Sequence, residues 1–201
     1  MSYSDIDIID RFNKGDRSAF EDLVRANQNR IYNLCRYTLG NDRDADDAAQ
    51  DTFVKAYLNL KNFKPQRSIY SWLVRIAVNT CIDYKRRPRA QSTERAFGSD
   101  SEATFEVGST TETPEDAYRN AQLKGELERS LSKLSIKLRA IIVLREIDGL
   151  SYEEIAEISG ISIGTVKSRI SRAKAELKQD LSNGNRVDGF LPQIVLNKKP
   201  V

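Results

Sequence analysis

Between Gln91 and Tyr118 the helical spacing of apolar residues that fills most of the chain lapses, and this gap constrains the fold more than any single motif. The segment carries one base, Arg95, against seven acids, together with nine Ser or Thr, two Gly and Pro114. Such a composition buries too little surface to offset ordering entropy, so residues 91–118 are expected to form a flexible acidic linker. The sequence then divides into a helical unit at 1–90, a second at 119–182 and a tail at 183–201, which reads as a disordered end or an extra docking segment, with the former favoured. A length of 201 residues suits one large or two small domains. The expected fold class is all-α: an N-terminal helical bundle and a C-terminal helix-turn-helix bundle.

Composition removes most chemistry. With no His, a Ser-His or Cys-His nucleophile pair, a His-ligated zinc and an imidazole base are all ruled out. Cys35 and Cys81 are too few for a disulfide scaffold or a four-cysteine metal site, and both sit in apolar helical patterns, as small core residues of a reducing compartment would. The longest strictly apolar run, Ala140 to Leu144, is far short of the ~20 residues of a spanning helix, and Met1 to Asp5 lacks the basic start of a leader. The expectation is a cytoplasmic protein without membrane insertion, with no catalytic residues, metal or cofactor, and not an enzyme. The net charge of +3 hides a segregation: 1–90 and 119–182 are mildly basic, the segment between them acidic.

In the N-terminal unit, Asp5 to Asn13 is a short helix, and Gly15-Asp16 precedes a longer one whose stripe is Phe20, Leu23, Val24, Ile31, Leu34 and Cys35. After Gly40-Asn41, five acids crowd a third helix. Asp42 and Asp44 suit capping and the positive end of the helix dipole. Asp47 and Asp51 do not, because they fall with Val54 and Leu58 opposite a core stripe of Ala45, Ala49, Phe53, Ala56 and Leu60. An outer strip mixing acids with apolar residues suits docking to a basic partner better than a metal, whose ligands would converge. A fourth helix, about Tyr70 to Arg87, is apolar over most of its circumference. Arg75, Asn79, Asp83 and Arg86 form one polar ridge headed by Trp72, a pattern that fits either a solvated face or single-stranded nucleic acid stacked on Tyr70 and Trp72.

In the C-terminal unit Ser151-Tyr-Glu-Glu154 is a capping box that opens a short helix, Gly160 permits a turn and Ser162 starts a second helix. Its stripe is Val166, Ile170, Ala173 and Leu177. The other side carries Lys167, Ser168, Ser171, Arg172 and Lys178, flanked by Arg169 and Lys174, with Glu176 intruding, which suits a major groove. A helix at Leu127 to Ile147 supplies Leu131, Leu134, Leu138, Ile141, Ile142 and Leu144 as packing support.

Four ordered stretches, Asp44-Ala-Asp-Asp-Ala-Ala-Gln50-Asp51-Thr-Phe53, Ser71-Trp72-Leu-Val-Arg75-Ile-Ala-Val-Asn79, Leu144-Arg-Glu-Ile-Asp-Gly-Leu-Ser151-Tyr-Glu-Glu-Ile-Ala156 and Gly164-Thr-Val-Lys-Ser-Arg169-Ile-Ser-Arg-Ala173, resemble bacterial RNA polymerase sigma factors of the extracytoplasmic-function (ECF) group, in the sigma-70 superfamily. The resemblance covers roughly 5–89 and 123–180. It implies that the first unit docks on core RNA polymerase, through its largest and second-largest subunits, with Asp47, Gln50, Asp51, Val54 and Leu58 on the docking helix and Phe53 as a packing residue. It implies that Phe63, Lys64, Arg67, Ser68, Tyr70, Trp72, Arg75, Asn79 and Arg86 read the −10 element as melted non-template strand. It assigns the −35 element of promoter DNA, read as duplex, to Lys167, Ser168, Arg169, Ser171, Arg172 and Lys174. An anti-sigma partner and a role in stress response also follow. The pattern departs at Asp51, where Glu is usual, at Arg67-Ser68-Ile69, where Ser-x-Phe is common, and at Leu134-Ser135, in place of Leu-Pro.

Physics explains the dependence on polymerase. One helix-turn-helix gives weak, salt-sensitive binding, and without a dimerisation helix the free chain is expected to be monomeric. The linker relaxes to about 30 Å and stretches to about 95 Å. Promoter elements ~17 base pairs apart lie about 60 Å from each other, so the linker reaches only when held open. Two rival readings are an autonomous regulator that binds duplex DNA unaided and a nuclease holding Mg²⁺ on Asp42 to Asp51.

Overall fold

The computed structural model describes residues 3–63, 68–86 and 125–183. The linker at 91–118, all but the first residue of the tail, Lys64, Arg67 and the basic residues Arg87 and Arg89 lie outside the described residues. Among the described residues every regular element is helical.

The N-terminal unit consists of α1 (Tyr3–Asn13), α2 (Ser18–Leu39), α3 (Asp42–Asn59), a short 3-10 turn (Leu60–Asn62) and α4 (Ile69–Arg86). Asp16 starts α2 by accepting from the Ser18 amide (2.9 Å) and hydroxyl (2.6 Å), and these bonds, with Arg11, hold its carboxyl below the usual range. Arg11 also reaches Asp22 at 3.0 Å, tying α1 to α2. An aromatic trio closes the same corner: Tyr57 meets Phe12 and Phe20 edge-on, with centroids 5.5 and 5.0 Å away.

Gly40 ends α2 in the left-handed region at φ 80°, which a Cβ would strain, and Asn41 then caps α3 by accepting from the Asp44 amide at 2.8 Å. The cap is thus Asn41 rather than Asp42 or Asp44, which occupy the first turn. Asp42 is instead bonded to Arg36 at 2.6 Å. The small residues Ala45, Ala48, Ala49 and Ala56 are buried, letting α3 lie close against α2 and α4.

The C-terminal unit comprises α5 (residues 125–133), α6 (Ile136–Glu146), α7 (Tyr152–Ser159) and α8 (Ile163–Asn183). The single helix expected from Leu127 to Ile147 is broken at Leu134-Ser135, where Ser135 leaves helical geometry at ψ 146°. The buried Arg139 compensates by donating to the freed carbonyls of Ser132 and Leu134. Periodicity misses the break because Leu131, Leu134 and Leu138 keep helical spacing across it, and all three are buried.

The loop into α7 is pinned by Arg145, which donates to the Leu150 carbonyl at 2.8 Å and lies over the Tyr152 ring. The capping box is complete: the Ser151 hydroxyl accepts from the Glu154 amide (3.1 Å) while the Glu154 carboxylate accepts from the Ser151 amide (2.7 Å). Gly160, at φ 65°, makes the turn, and Ser162 caps α8 by accepting from the Thr165 amide at 3.2 Å.

The two units touch. α2 packs on α6, and α4 packs on α6 and α7, so one apolar cluster runs through both.

Candidate polymerase and nucleic-acid surfaces

Three surfaces carry the residues that the sequence singles out. The first is the outer side of α3. Val54 and Leu58 are 58% and 71% exposed, a rare degree for large apolar side chains on a helix that buries four alanines on its other side. Asp47 and Gln50 are exposed beside them, and Gln50 donates to Asp46 at 2.9 Å. Asp51 differs from this group. It is half-buried and accepts a hydrogen bond from the Tyr84 hydroxyl of α4 at 3.0 Å. Phe53 is partly buried against the core, consistent with packing. Among the described residues no group of His, Cys, Asp or Glu side chains is placed to hold a metal ion.

The second surface is the ridge of α4. Arg75, Asn79, Asp83 and Arg86 are all exposed, while Leu73, Val74, Ala77, Val78 and Cys81 are buried. Trp72 is half-buried and packs against the buried Phe63, with ring centroids 5.2 Å apart. Ser68 is half-buried just before α4. Trp72 and Asn79 line an open groove of about 380 Å³ whose other walls are Lys55, Asn59, Asn62, Ile76 and Thr80. The Lys55 ammonium donates to the Thr80 hydroxyl at 2.9 Å, and the Asn59 amide donates to the Lys55 carbonyl at 2.8 Å, so the polar wall is held in place. A groove with an indole wall, three carboxamides and a cation offers a nucleobase stacking, hydrogen bonding and a countercharge.

Sequence reasoning missed Lys55, Asn59, Asn62, Ile76 and Thr80. The available signal was spacing: Lys55 and Asn59 are four apart on α3, as are Ile76 and Thr80 on α4.

Tyr70 stands apart from this groove. Its hydroxyl donates to Asp148 at 2.9 Å, and the Arg30 guanidinium lies 3.6 Å from its ring centroid. Burial, then the Asp148 charge, pushes the phenol pKa up.

The third surface is α8. Val166, Ile170, Ala173 and Leu177 are buried at 0 to 4% exposure, fixing the helix by one stripe. Lys167, Ser168, Ser171 and Arg172 are exposed and Arg169 is half-buried. The Arg172 guanidinium pairs with Glu176 at 2.8 Å, an exposed pair that phosphate can replace. Lys174 pairs with Glu146 of α6 at 2.9 Å, so this cation also anchors the helix. No helix of the described residues is long and apolar enough to cross a membrane.

Comparison with known proteins identifies the family. Residues 23–91 match the family model Sigma-70 region 2, and residues 124–177 match Sigma-70, region 4. The chain is 38% identical over 176 residues to the ECF RNA polymerase sigma factor SigW of Bacillus subtilis, spanning 86% of this chain and 94% of SigW. It is 38% identical over 175 residues to the ECF RNA polymerase sigma-E factor of Escherichia coli, spanning 83% and 88%. In fold it is similar to CnrH, solved in complex with the cytosolic domain of CnrY, with a TM-score of 0.65 and 29% identity over 90% of this chain and 98% of that one. It is also similar to the sigma factor RpoE of Bartonella quintana, solved with the anti-sigma factor NepR, with a TM-score of 0.62 and 26% identity over 81% and 96%. Two family domains in order, relatives matched along nearly their whole length and an all-helical fold shared with solved sigma factors make this chain a member of the ECF group of sigma-70 RNA polymerase sigma factors.

Proposed function

We propose that the chain binds core RNA polymerase and directs promoter-specific initiation through a division of labour among the three surfaces. The outer strip of α3, with Asp47, Gln50, Asp51, Val54 and Leu58, docks on core. The α4 ridge and its groove, with Phe63, Ser68, Tyr70, Trp72, Arg75, Asn79 and Arg86, receive the melted non-template strand of the −10 element. Lys64 and Arg67, between Phe63 and Ser68 in the chain, belong to the same set. The outward side of α8, with Lys167, Ser168, Arg169, Ser171, Arg172 and Lys174, enters the −35 major groove.

The domains follow these roles: 1–90 is region 2, 119–182 is region 4, and 91–118 is the tether that spans them on polymerase. The observation that carries this reading is the adjacency within one small unit of an exposed acid-apolar strip on α3 and, between α3 and α4, a groove whose walls are carboxamides, a cation and an indole. A protein partner suits the first and an unstacked base suits the second.

An anti-sigma factor is the further partner supported by the solved relatives, since RpoE was crystallised with one.

The test is transcription from a promoter library by core polymerase with and without the chain. New start sites are expected; an unchanged set of start sites refutes the reading. Asp47→Lys together with Leu58→Asp should abolish co-purification with core, whereas Arg172→Ala should leave it intact.

A further inference from the structure

We infer that Glu176 is a positioning residue for base selection by α8: it holds Arg172 so that the free edge of the guanidinium meets one guanine of the −35 duplex and is kept off phosphate. The inference rests on the assignment of the outward side of α8 to the −35 element made above.

Glu176 is the only acid between Lys167 and Lys178, a stretch with five bases. The next acid, Asp180, is turned toward α5, where it accepts from Ser130 at 2.8 Å and pairs with Lys133. Neither folding nor binding strength accounts for Glu176. Arg172 precedes it by one turn, the weaker order for an ion pair four residues apart, and the pair is exposed, so it adds little to the stability of α8. Near DNA, a carboxylate among these cations repels phosphate and lowers the attraction to every sequence alike. What the carboxylate contributes is geometry.

The Arg172 Nε donates to Glu176 Oε1 at 2.8 Å, and among the described residues this is the one hydrogen bond of that guanidinium. Nη1 and Nη2 are therefore both unbonded. The Arg172 side chain is 74% exposed against 39% for Glu176, so the acid is the more sheltered member and the free fork of the base is offered to solvent. Nearby groups do not compete for it: the Ser168 hydroxyl donates to the Thr165 carbonyl at 3.0 Å, and Lys174 is tied to Glu146. Two parallel N–H donors match O6 and N7 of guanine, and no other base offers two acceptors on its major-groove edge. A phosphate takes the same fork only by bringing its charge against Glu176, whereas a guanine edge is neutral and leaves the pair in place. Removing the carboxylate frees Arg172 to swing onto the backbone. Binding then gains strength and loses choice.

The experiment uses holoenzyme formed from the full chain and core polymerase, with a duplex promoter library randomised over the −35 segment. Base preference at each position and the slope of log affinity against log salt are read for the parent, Glu176→Ala, Glu176→Gln and Arg172→Ala. Arg172→Ala should mark the position read, by loss of a guanine preference of about tenfold, as one bidentate contact supplies. Glu176→Ala should cut that preference about fivefold at the same position alone, and should have no further effect once Arg172 is absent. Its salt slope should steepen by about 0.9 as Arg172 moves to a phosphate. Glu176→Gln keeps an oxygen for Nε and should restore part of the preference.

An unchanged guanine preference in Glu176→Ala overturns the proposal. So does an equal loss at every position, which would mark a merely structural role. If Arg172→Ala weakens all sequences alike and lowers the salt slope, Arg172 is on phosphate from the start and the proposal falls. Failure of the −35 reading would show separately, as start-site selection by the parent holoenzyme that is indifferent to the whole −35 segment, and would take the proposal with it.

Discussion

The Tyr84 hydroxyl donates to the Asp51 carboxylate at 3.0 Å, so an acid on the proposed docking helix also fastens α3 to α4. Loss of this bond should be read as stability before it is read as affinity. Tyr84→Phe removes the donor and keeps the ring, and should cost about 1 kcal/mol in urea unfolding while core polymerase is still retained. Asp47→Ala, exposed on the same helix, should leave stability within about 0.5 kcal/mol and weaken retention by core. The reverse pattern would exchange the roles of the two acids.

The capping box at the start of α7 holds the first helix of the helix-turn-helix through both of its bonds. Ser151→Ala should cost about 1 kcal/mol of stability, measured by thermal unfolding. Duplex binding at saturating protein, well below the transition, should be nearly unchanged, because Ser151 is not among the residues assigned to the −35 element.

The cations of α8 should differ in kind. Lys167 is exposed and forms no ion pair among the described residues, so Lys167→Ala should lower the slope of log affinity against log salt by about 0.9 for each phosphate that the ammonium neutralises. Lys174→Ala should also loosen α8, because its partner Glu146 is left nearly buried and unpaired. Titration of promoter duplex across salt concentrations, alongside unfolding of each variant, separates the two effects.

Alkaline instability is the pH signature of the core. A hydrogen bond to Cys35, then burial, pushes the Cys81 thiol up from its ordinary 9.0, and burial raises the Tyr37 and Tyr70 phenols from 10.0. A raised pKa means that the native state keeps a proton which the unfolded chain gives up. The stabilisation is therefore complete below about pH 9 and is lost progressively as pH rises above it. Urea midpoints should fall from about pH 9 upward, and thiol reagents at pH 8 should label Cys35 and Cys81 only after denaturant is added.

Much of the molecule was legible in the sequence. The helices, the buried stripe of α8, the capping box, the turn at Gly160 and the exposed ridge of α4 all follow from apolar spacing and from residues with one strong local preference, such as Ser at a cap or Gly at positive φ. The break at Leu134-Ser135 did not, since a helix can end without interrupting the spacing of the side chains it buries.

What the sequence determined by itself was which side of each helix faces inward, because that depends on residues three and four apart in the same segment. What only the tertiary structure decided was what each side faces. Tyr70 reads as a stacking aromatic until Asp148, 78 residues later, is folded against it, and only the fold shows Arg139 buried on a carbonyl 101 residues away. The groove between α3 and α4 is of the same origin: its walls come from two helices whose mutual rotation is set by packing in three dimensions, and periodicity along one helix carries no record of the angle to the next.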